Sequence, residues 1–424
     1  MIFQRLILLL SLVWAVIGGT SLIIYDSESI DLDHPTPELL KIVRYSESKF
    51  NQTVVRGYTD DDLKIFIGEE SIVDKIFILP TTSKKILNKK ELNKVNLVKL
   101  LEKNVDIVVV GDHEKNYPED IKDFLNEVGI YPSPKGYKLV DHFNSDDKVK
   151  LTKQNIGCSR ILSSIDKVYD GQSAIIDNNE NLIPIVKASS TSFSTNDNVN
   201  SIDNDNTWGI GEQSFVVVGL QSLSGSRLTW FGSYDLIDEE ILSWSLGFRN
   251  ILKLQFVQHH KESEPSKLDG TLYRVSDQVI YTIGVSELAD NEWKPYEVEE
   301  GDALQLSFKM LDPYQRLNLQ PLGKVSSTED GPLDTFAYFV NFTIPDQHGM
   351  FTFELDHKRS GLSYLSDKKV VAVRHLANDE FKRSWEITNA WYYIASAMFV
   401  VVGWLIFVVN FIYVSRDDSQ RKNI

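Results

Sequence analysis

Cysteine is almost absent, since Cys158 is the only one in 424 residues. A secreted domain stapled by disulfides would carry an even set, so this fold must be held by its cores, with Cys158 read as a buried thiol. Basic residues are outnumbered, 44 Lys and Arg against 60 Asp and Glu, for a net charge of −16. Nucleic-acid binding calls for a basic footprint, and the composition offers none. The familiar catalytic signatures are missing as well. The chain contains no G-x-G-x-x-G, P-loop, G-x-S-x-G, H-E-x-x-H or C-x-x-C. Dinucleotide binding, serine hydrolysis, zinc proteolysis and thiol redox chemistry thus lose their usual support. No cofactor is implied.

Long apolar runs occur only near the two ends. Residues 6–17, LILLLSLVWAVI, follow Arg5 and precede Gly18, Gly19 and Thr20. That is the layout of a signal peptide, expected to span residues 1–20; as a helix the block rises about 18 Å, too short to cross a bilayer. The run Trp391–Val414 has no charge. It would reach about 36 Å as a helix, enough to span, with Trp391, Tyr392, Tyr393 and Tyr413 where interfacial aromatics belong. Flanking charge does not orient it, because Arg374, Lys382 and Arg383 balance Arg416, Arg421 and Lys422. The signal peptide does: a single-pass type I protein with the bulk in the lumen is expected, with membrane helix 389–414 and cytosolic tail 415–424. The sequons Asn51-Gln52-Thr53 and Asn341-Phe342-Thr343 make Asn51 and Asn341 candidate glycosylation sites there.

Within the luminal part, apolar runs at 21–26, 75–80 and 105–112 alternate with helical patterns at 36–48, 92–104 and 118–129. Thr36 reads as an N-cap, Pro37 as first-turn residue and Gly129 as a helix stop. Further strands are expected at 173–178, 214–221 and 227–236, and a closing helix at 238–250. The pattern predicts an α/β domain over 21–250 with a mostly parallel, Rossmann-like sheet. From about residue 265 short alternating segments separated by Gly, Pro and Asp predict an antiparallel β-sandwich, assigned to 251–388.

Candidate chemistry is sparse. Asp60 and Asp62 form the D-x-D of some glycosyltransferases, though such a polar run more commonly makes a solvated turn. Asp112-His113-Glu114 ends a strand, where ligands of open α/β sheets bind. His259-His260 has no metal-ligand spacing and reads as linker surface. The Asn- and Asp-rich stretch 194–208 lacks the Gly and final Glu of an EF-hand and reads as a solvated loop, so no metal is implied. Lys135, beside Pro132-Ser133-Pro134, invites a phosphate reading, but two prolines explain the loop more simply. In the membrane run Ser396, Gly403 and Asn410 recur every seven residues, a face suited to packing against another membrane subunit; the plainer view sets Asn410 among headgroups.

Several stretches carry a family resemblance: NEVGIYPSPKG (126–136), VVVGLQSLSGSRLTWFGSYDL (216–236), LDPYQRLNL (311–319), IPDQHGMFTFELDHKRSGLSYL (344–365) and VRHLANDEFKRSWEI (373–387). Together they resemble the Wbp/DDOST-type, 48 kDa-class subunit of the eukaryotic oligosaccharyltransferase in its fungal form. The resemblance implies a GIFT-like N-terminal domain and an endoplasmic-reticulum complex that transfers oligosaccharide from dolichyl diphosphate to Asn in N-x-S/T sequons. It implies a non-catalytic subunit, with an STT-type catalytic subunit, a Swp/ribophorin-II-type subunit and a small defender-against-death-type subunit as partners, and dolichol-linked oligosaccharide nearby. Arg421 and Lys422 then resemble a dibasic retrieval signal, although basic residues there equally serve as a stop-transfer end. Two rival readings are a glycan-binding cargo receptor and a stand-alone luminal glycosyltransferase using Asp60 and Asp62.

Overall fold

A computed structural model describes residues 19–27, 36–60, 63–82, 91–143, 148–196, 207–289, 292–326, 331–381, 383 and 389–421. The signal segment 1–18, Asp61, Asp62, residues 197–206 of the polar loop and Lys422 lie outside them. The chain forms two compact units, 1–259 with 280–340 and 352–369, and 260–279 with 341–351 and 370–424. Each is described by itself.

The first unit is built on a nine-stranded sheet. Its strands are β1 (Thr20–Tyr25), β2 (Gln52–Gly57), β3 (Lys75–Ile78), β4 (Asp106–Val110), β5 (Ile130–Pro132), β6 (Ala174–Ile176), β7 (Leu182–Lys187), β8 (Phe215–Gln221) and β9 (Arg227–Phe231). The order is β2-β1-β3-β4-β9-β8-β6-β5, with β7 also on β8. From β2 to β9 the pairing is parallel. Beyond β9 it turns antiparallel, starting with β8 against β9. The sheet is therefore mixed rather than mostly parallel. The reason is local, since β8 and β9 are joined by residues 222–226 alone, too few for the crossover that parallel strands need.

Helices α1 (Pro37–Lys49), α2 (Lys94–Glu102), α3 (Glu119–Val128) and α4 (Glu239–Ser245) accompany this sheet. Thr36 caps α1, its hydroxyl accepting from the Leu39 amide at 3.4 Å. Gly129 closes α3 in the left-handed region at φ 94°, where a side chain would be strained. The helix expected over 238–250 stops early, because Gly247 turns left-handed at φ 73° and Asn250 at φ 60°. Two apolar cores lie on the sheet. Ile23, Phe77, Val108 and Val110 feed one, joined by Trp244 of α4. Leu22, Ile24, Ile76, Ile107 and Val109 feed the other, joined by Leu100 of α2 and Phe124 of α3. Adjacent residues facing opposite cores explain why these strands read as unbroken apolar runs.

Two further large sheets follow, with most but not all of their residues in the same unit. One runs in the order Ile251–Lys261, Gln278–Ala289, Thr335–Thr343, Gln320–Val325, with Glu292–Pro295 on the second strand. The other contains Leu365–Arg374, Gly349–His357, Gln305–Lys309 and Pro313–Asn318 in that order. Rings from both meet: Tyr281 lies 5.5 Å from Phe353, and Phe308 lies 5.1 Å from Phe353. His259, read above as linker surface, is instead buried in its strand with its ring 4.9 Å from Phe353. Alternation along the strand turns it inward, which a dipeptide of histidines does not announce.

In the second unit Leu272–Arg274 pairs parallel with Ala372–Arg374. Arg274 and Arg374 share the Glu380 carboxylate, at 3.2 and 2.7 Å, and Arg374 above all holds it down at about 2. Helix α5 (Ala390–Arg421) contains one apolar span, Ala390–Tyr413, with no part buried in the unit. It is long and apolar enough to cross a membrane.

Candidate functional site

Polar side chains gather where the parallel strands β1, β3 and β4 end, the edge at which open α/β sheets bind ligands. Asp26 is buried past β1 and accepts from the Thr82 amide and hydroxyl, both at 2.9 Å. Tyr58 donates to the Leu79 carbonyl at 2.6 Å. Thr81 and Asn116 exchange backbone hydrogen bonds of 3.1 and 2.7 Å. Asp112-His113-Glu114 sits here as expected. The His113 ring lies 3.6 Å from Asp112 and 3.9 Å from Glu114, and Lys115 lies 3.9 Å from Asp112. Asp112 also folds back on its own turn, accepting from the Glu114 amide at 3.1 Å. These are long, partly solvated contacts, which makes the cluster a turn with charge around it.

The strongest electrostatic cluster lies at the other end of the sheet and carries structure. Arg227 is 1% exposed. Its guanidinium donates to the carbonyls of Trp244, Arg249 and Asn250 at 2.6, 2.8 and 2.9 Å and to Gln221 Oε1 at 2.7 Å, and it stacks on the Trp244 ring at 4.7 Å. Burial brings its pKa down to about 10. Asp106 accepts from the Arg227 amide at 2.7 Å and pairs with Lys75; burial still pushes its carboxyl up, with Lys75 opposing. A buried cation needs this much pairing to persist. Sequence reasoning missed it, because RLTWF reads as a strand and the polar SLSGS before it gives no sign that its first residue is buried.

The remaining candidates are scattered. Asn51 is exposed just before β2, and Asn341 is exposed on Thr335–Thr343. Asp60 accepts from the Gly57 amide at 2.8 Å, closing a turn after β2. Cys158 is buried, donates to the Ser360 carbonyl at 3.8 Å, and has its thiol pKa raised by burial. Lys135 is exposed after β5. On α5, Ser396, Gly403 and Asn410 are all exposed. The Ser396 hydroxyl donates to the Tyr393 carbonyl of its own helix at 2.8 Å, and a Cβ at Gly403 would meet nothing within 4 Å. Arg421 ends the helix. Among the described residues no three His, Cys, Asp or Glu converge as a metal site.

Comparison with known proteins places these features. Residues 14–251 match the family model described as OST48, N-terminal domain, and 259–415 match the OST48 middle domain. The dolichyl-diphosphooligosaccharide–protein glycosyltransferase subunit WBP1 of Saccharomyces cerevisiae is 33% identical, over 98% of this chain and 96% of that protein. The subunit of the same name in Schizosaccharomyces pombe is 27% identical, over 82% of this chain and 83% of that protein. The 48 kDa subunit of Drosophila melanogaster is 24% identical over 76% of each chain. With two family models matched in order and one relative a third identical along nearly its whole length, the chain belongs to the OST48 family.

Proposed function

We propose that this chain is an accessory, non-catalytic subunit of an oligosaccharyltransferase in the endoplasmic-reticulum membrane. It supports assembly and substrate positioning for transfer of oligosaccharide from dolichyl diphosphate to Asn in N-x-S/T sequons. The observation that carries this is the end-to-end similarity to a protein named as such a subunit, over 98% of the chain. An apolar helix exposed all round adds support, since it needs lipid or partner helices as its solvent. The buried charges add more, being spent on fold contacts such as those of Arg227 and Asp106.

In this reading a GIFT-like domain (21–250) and a β-sandwich region (251–388) face the lumen after removal of residues 1–20, and the tail 415–424 is cytosolic. Asn51 and Asn341 carry glycans. Ser396, Gly403 and Asn410 pack on a neighbouring membrane subunit, and Arg421 with Lys422 helps retrieval. The partners are the STT-type catalytic, Swp/ribophorin-II-type and defender-against-death-type subunits. Affinity capture of the tagged full chain in mild detergent, followed by mass spectrometry, tests the reading. Stoichiometric recovery of a multi-span STT-type protein is expected; recovery of the chain alone would overturn it.

A further inference from the structure

The chain up to Asn250 contains the nine-stranded sheet and helices α1–α4, and the larger of the later sheets follow it. A chain laid out in this way ordinarily folds in order of synthesis, the N-terminal part first. One short segment breaks that order. Residues 358–364, KRSGLSY, join the strands Gly349–His357 and Leu365–Arg374, but they reach back to the α/β part. Trp244 of α4 is 0% exposed, and its indole N–H donates to the Gly361 carbonyl at 2.9 Å. The Asn250 carbonyl accepts from the Ser363 amide at 3.1 Å. Tyr364 donates to Asn181 Oδ1, just before β7, at 3.0 Å, and Leu362 is buried.

The fit leaves little slack. Gly361 is left-handed at φ 86°, and an added Cβ would stand 3.0 Å from Cys158 Sγ, 3.3 Å from Ile161 Cγ1 and 3.4 Å from Arg160 Cβ. Glycine takes that backbone conformation freely and other residues do not. Two ion pairs brace the same place. Arg160 forks onto Glu299 with two contacts of 2.8 Å, and Arg359 donates to Asp302 at 2.7 Å; a forked pair fixes geometry as well as charge. Trp244 has a single N–H to donate. Wherever the segment is undocked, that buried group is left unpaired, at the cost of its desolvation.

We infer that residues 359–365 are an intramolecular clasp whose docking completes the α/β part, so that this part locks late and unfolds together with the sheet that carries the clasp. Gly361 follows Trp244 by 117 positions, roughly 6 to 23 s of synthesis at about 5–20 residues per second. Over that interval Trp244 and Asn250 wait for partners that have not yet been made. Cys158 is the only thiol of the chain. It lies against Gly361 and donates to the Ser360 carbonyl, so its accessibility reports whether the clasp is shut. None of these contacts involves another subunit, and the clasp stands or falls apart from the accessory-subunit reading.

The test is N-ethylmaleimide labelling of Cys158 in the detergent-solubilised full chain. Wild type should label slowly, then fast across one urea transition that coincides with loss of the far-UV circular dichroism signal. Gly361→Ala should label about tenfold faster or more without urea, because strain and crowding both favour the undocked state. Tyr364→Phe removes one bond at a half-exposed position, keeps the fold, and should speed labelling about two- to tenfold. During synchronised translation on microsomes, chains that end before residue 359 should label and completed chains should resist. Protection of Cys158 in those shorter chains overturns the inference. So does labelling unaltered in both variants, or wild-type unfolding in two separate transitions with Cys158 exposed in the first alone.

Discussion

His357 and Asp302 are individual residues whose surroundings lower both their pKa values, each by a different cause. His357 is 2% exposed with Nε2 unpartnered, and burial, reinforced by Arg359, lowers its pKa to about 4. An unfolded chain takes up that proton near the ordinary value of about 6.5. The contribution of neutral His357 is thus complete above about 6.5 and is lost as pH falls toward 4, on the order of 3 kcal/mol. Asp302 accepts from Arg359 at 2.7 Å, and this hydrogen bond holds its carboxyl down at about 2. Its contribution is present above the unfolded carboxylate value and lost as pH falls from about 4 to 2. Urea unfolding of the full chain at stepped pH should show both windows. His357→Gln should flatten the upper and leave the lower. An unaltered upper slope in that variant would refute the assignment. Arg227 makes a simpler case. Arg227→Lys keeps the charge but cannot reach three carbonyls and Gln221 together, so a loss of about 3 kcal/mol or more is expected. A thermal melt within a degree or two of wild type would show that the network does not hold the unit together.

At the scale of elements, α3 shows how a stop signal read from sequence becomes a measurable cost. Gly129 is left-handed, and an added Cβ would sit 3.0 Å from Asp177 Cβ and 3.2 Å from Leu182 Cδ1. Gly129→Ala should cost about 1–2 kcal/mol from backbone strain and crowding, with Asn as the milder replacement because it tolerates the same region. Equal stability of the two variants would count against the left-handed geometry. This stop, the Thr36 cap and the strands β1, β3 and β4 were legible because each rests on local chemistry or on burial of both sheet faces. Strand β2 was not. Its residues QTVVRG include only one fully buried member, Gly57, since it is the edge strand on β1, and half-buried edges carry little hydrophobic signal. The antiparallel half of the sheet was also hidden, because strand direction follows from connection length and partner choice rather than from composition.

At the scale of the whole molecule, helix α5 decides whether this protein works alone. A helix with no buried side in its own unit either sits in lipid on all faces or lends one face to another helix, and the two cases respond differently to added bulk. Gly403 has open space where a Cβ would go, so nothing within the chain resists a larger residue there. If the Ser396–Gly403–Asn410 face meets a neighbouring subunit, Gly403→Leu forces the two helices apart and removes the close contact that small residues permit. Val401→Leu, with nearly equal hydropathy, controls for lipid fit. Ser396 already bonds to its own helix, which leaves Asn410 as the amide in search of a partner, and Asn410→Leu should therefore weaken assembly more than Ser396→Ala. Blue-native electrophoresis of membranes from cells expressing each variant measures this directly. The expected pattern is loss of the high-mass complex in Gly403→Leu, partial loss in Asn410→Leu, and wild-type assembly in Val401→Leu. Equal assembly in all of them would mean that the chain outside the helix recruits any partners and that the helix serves only as an anchor.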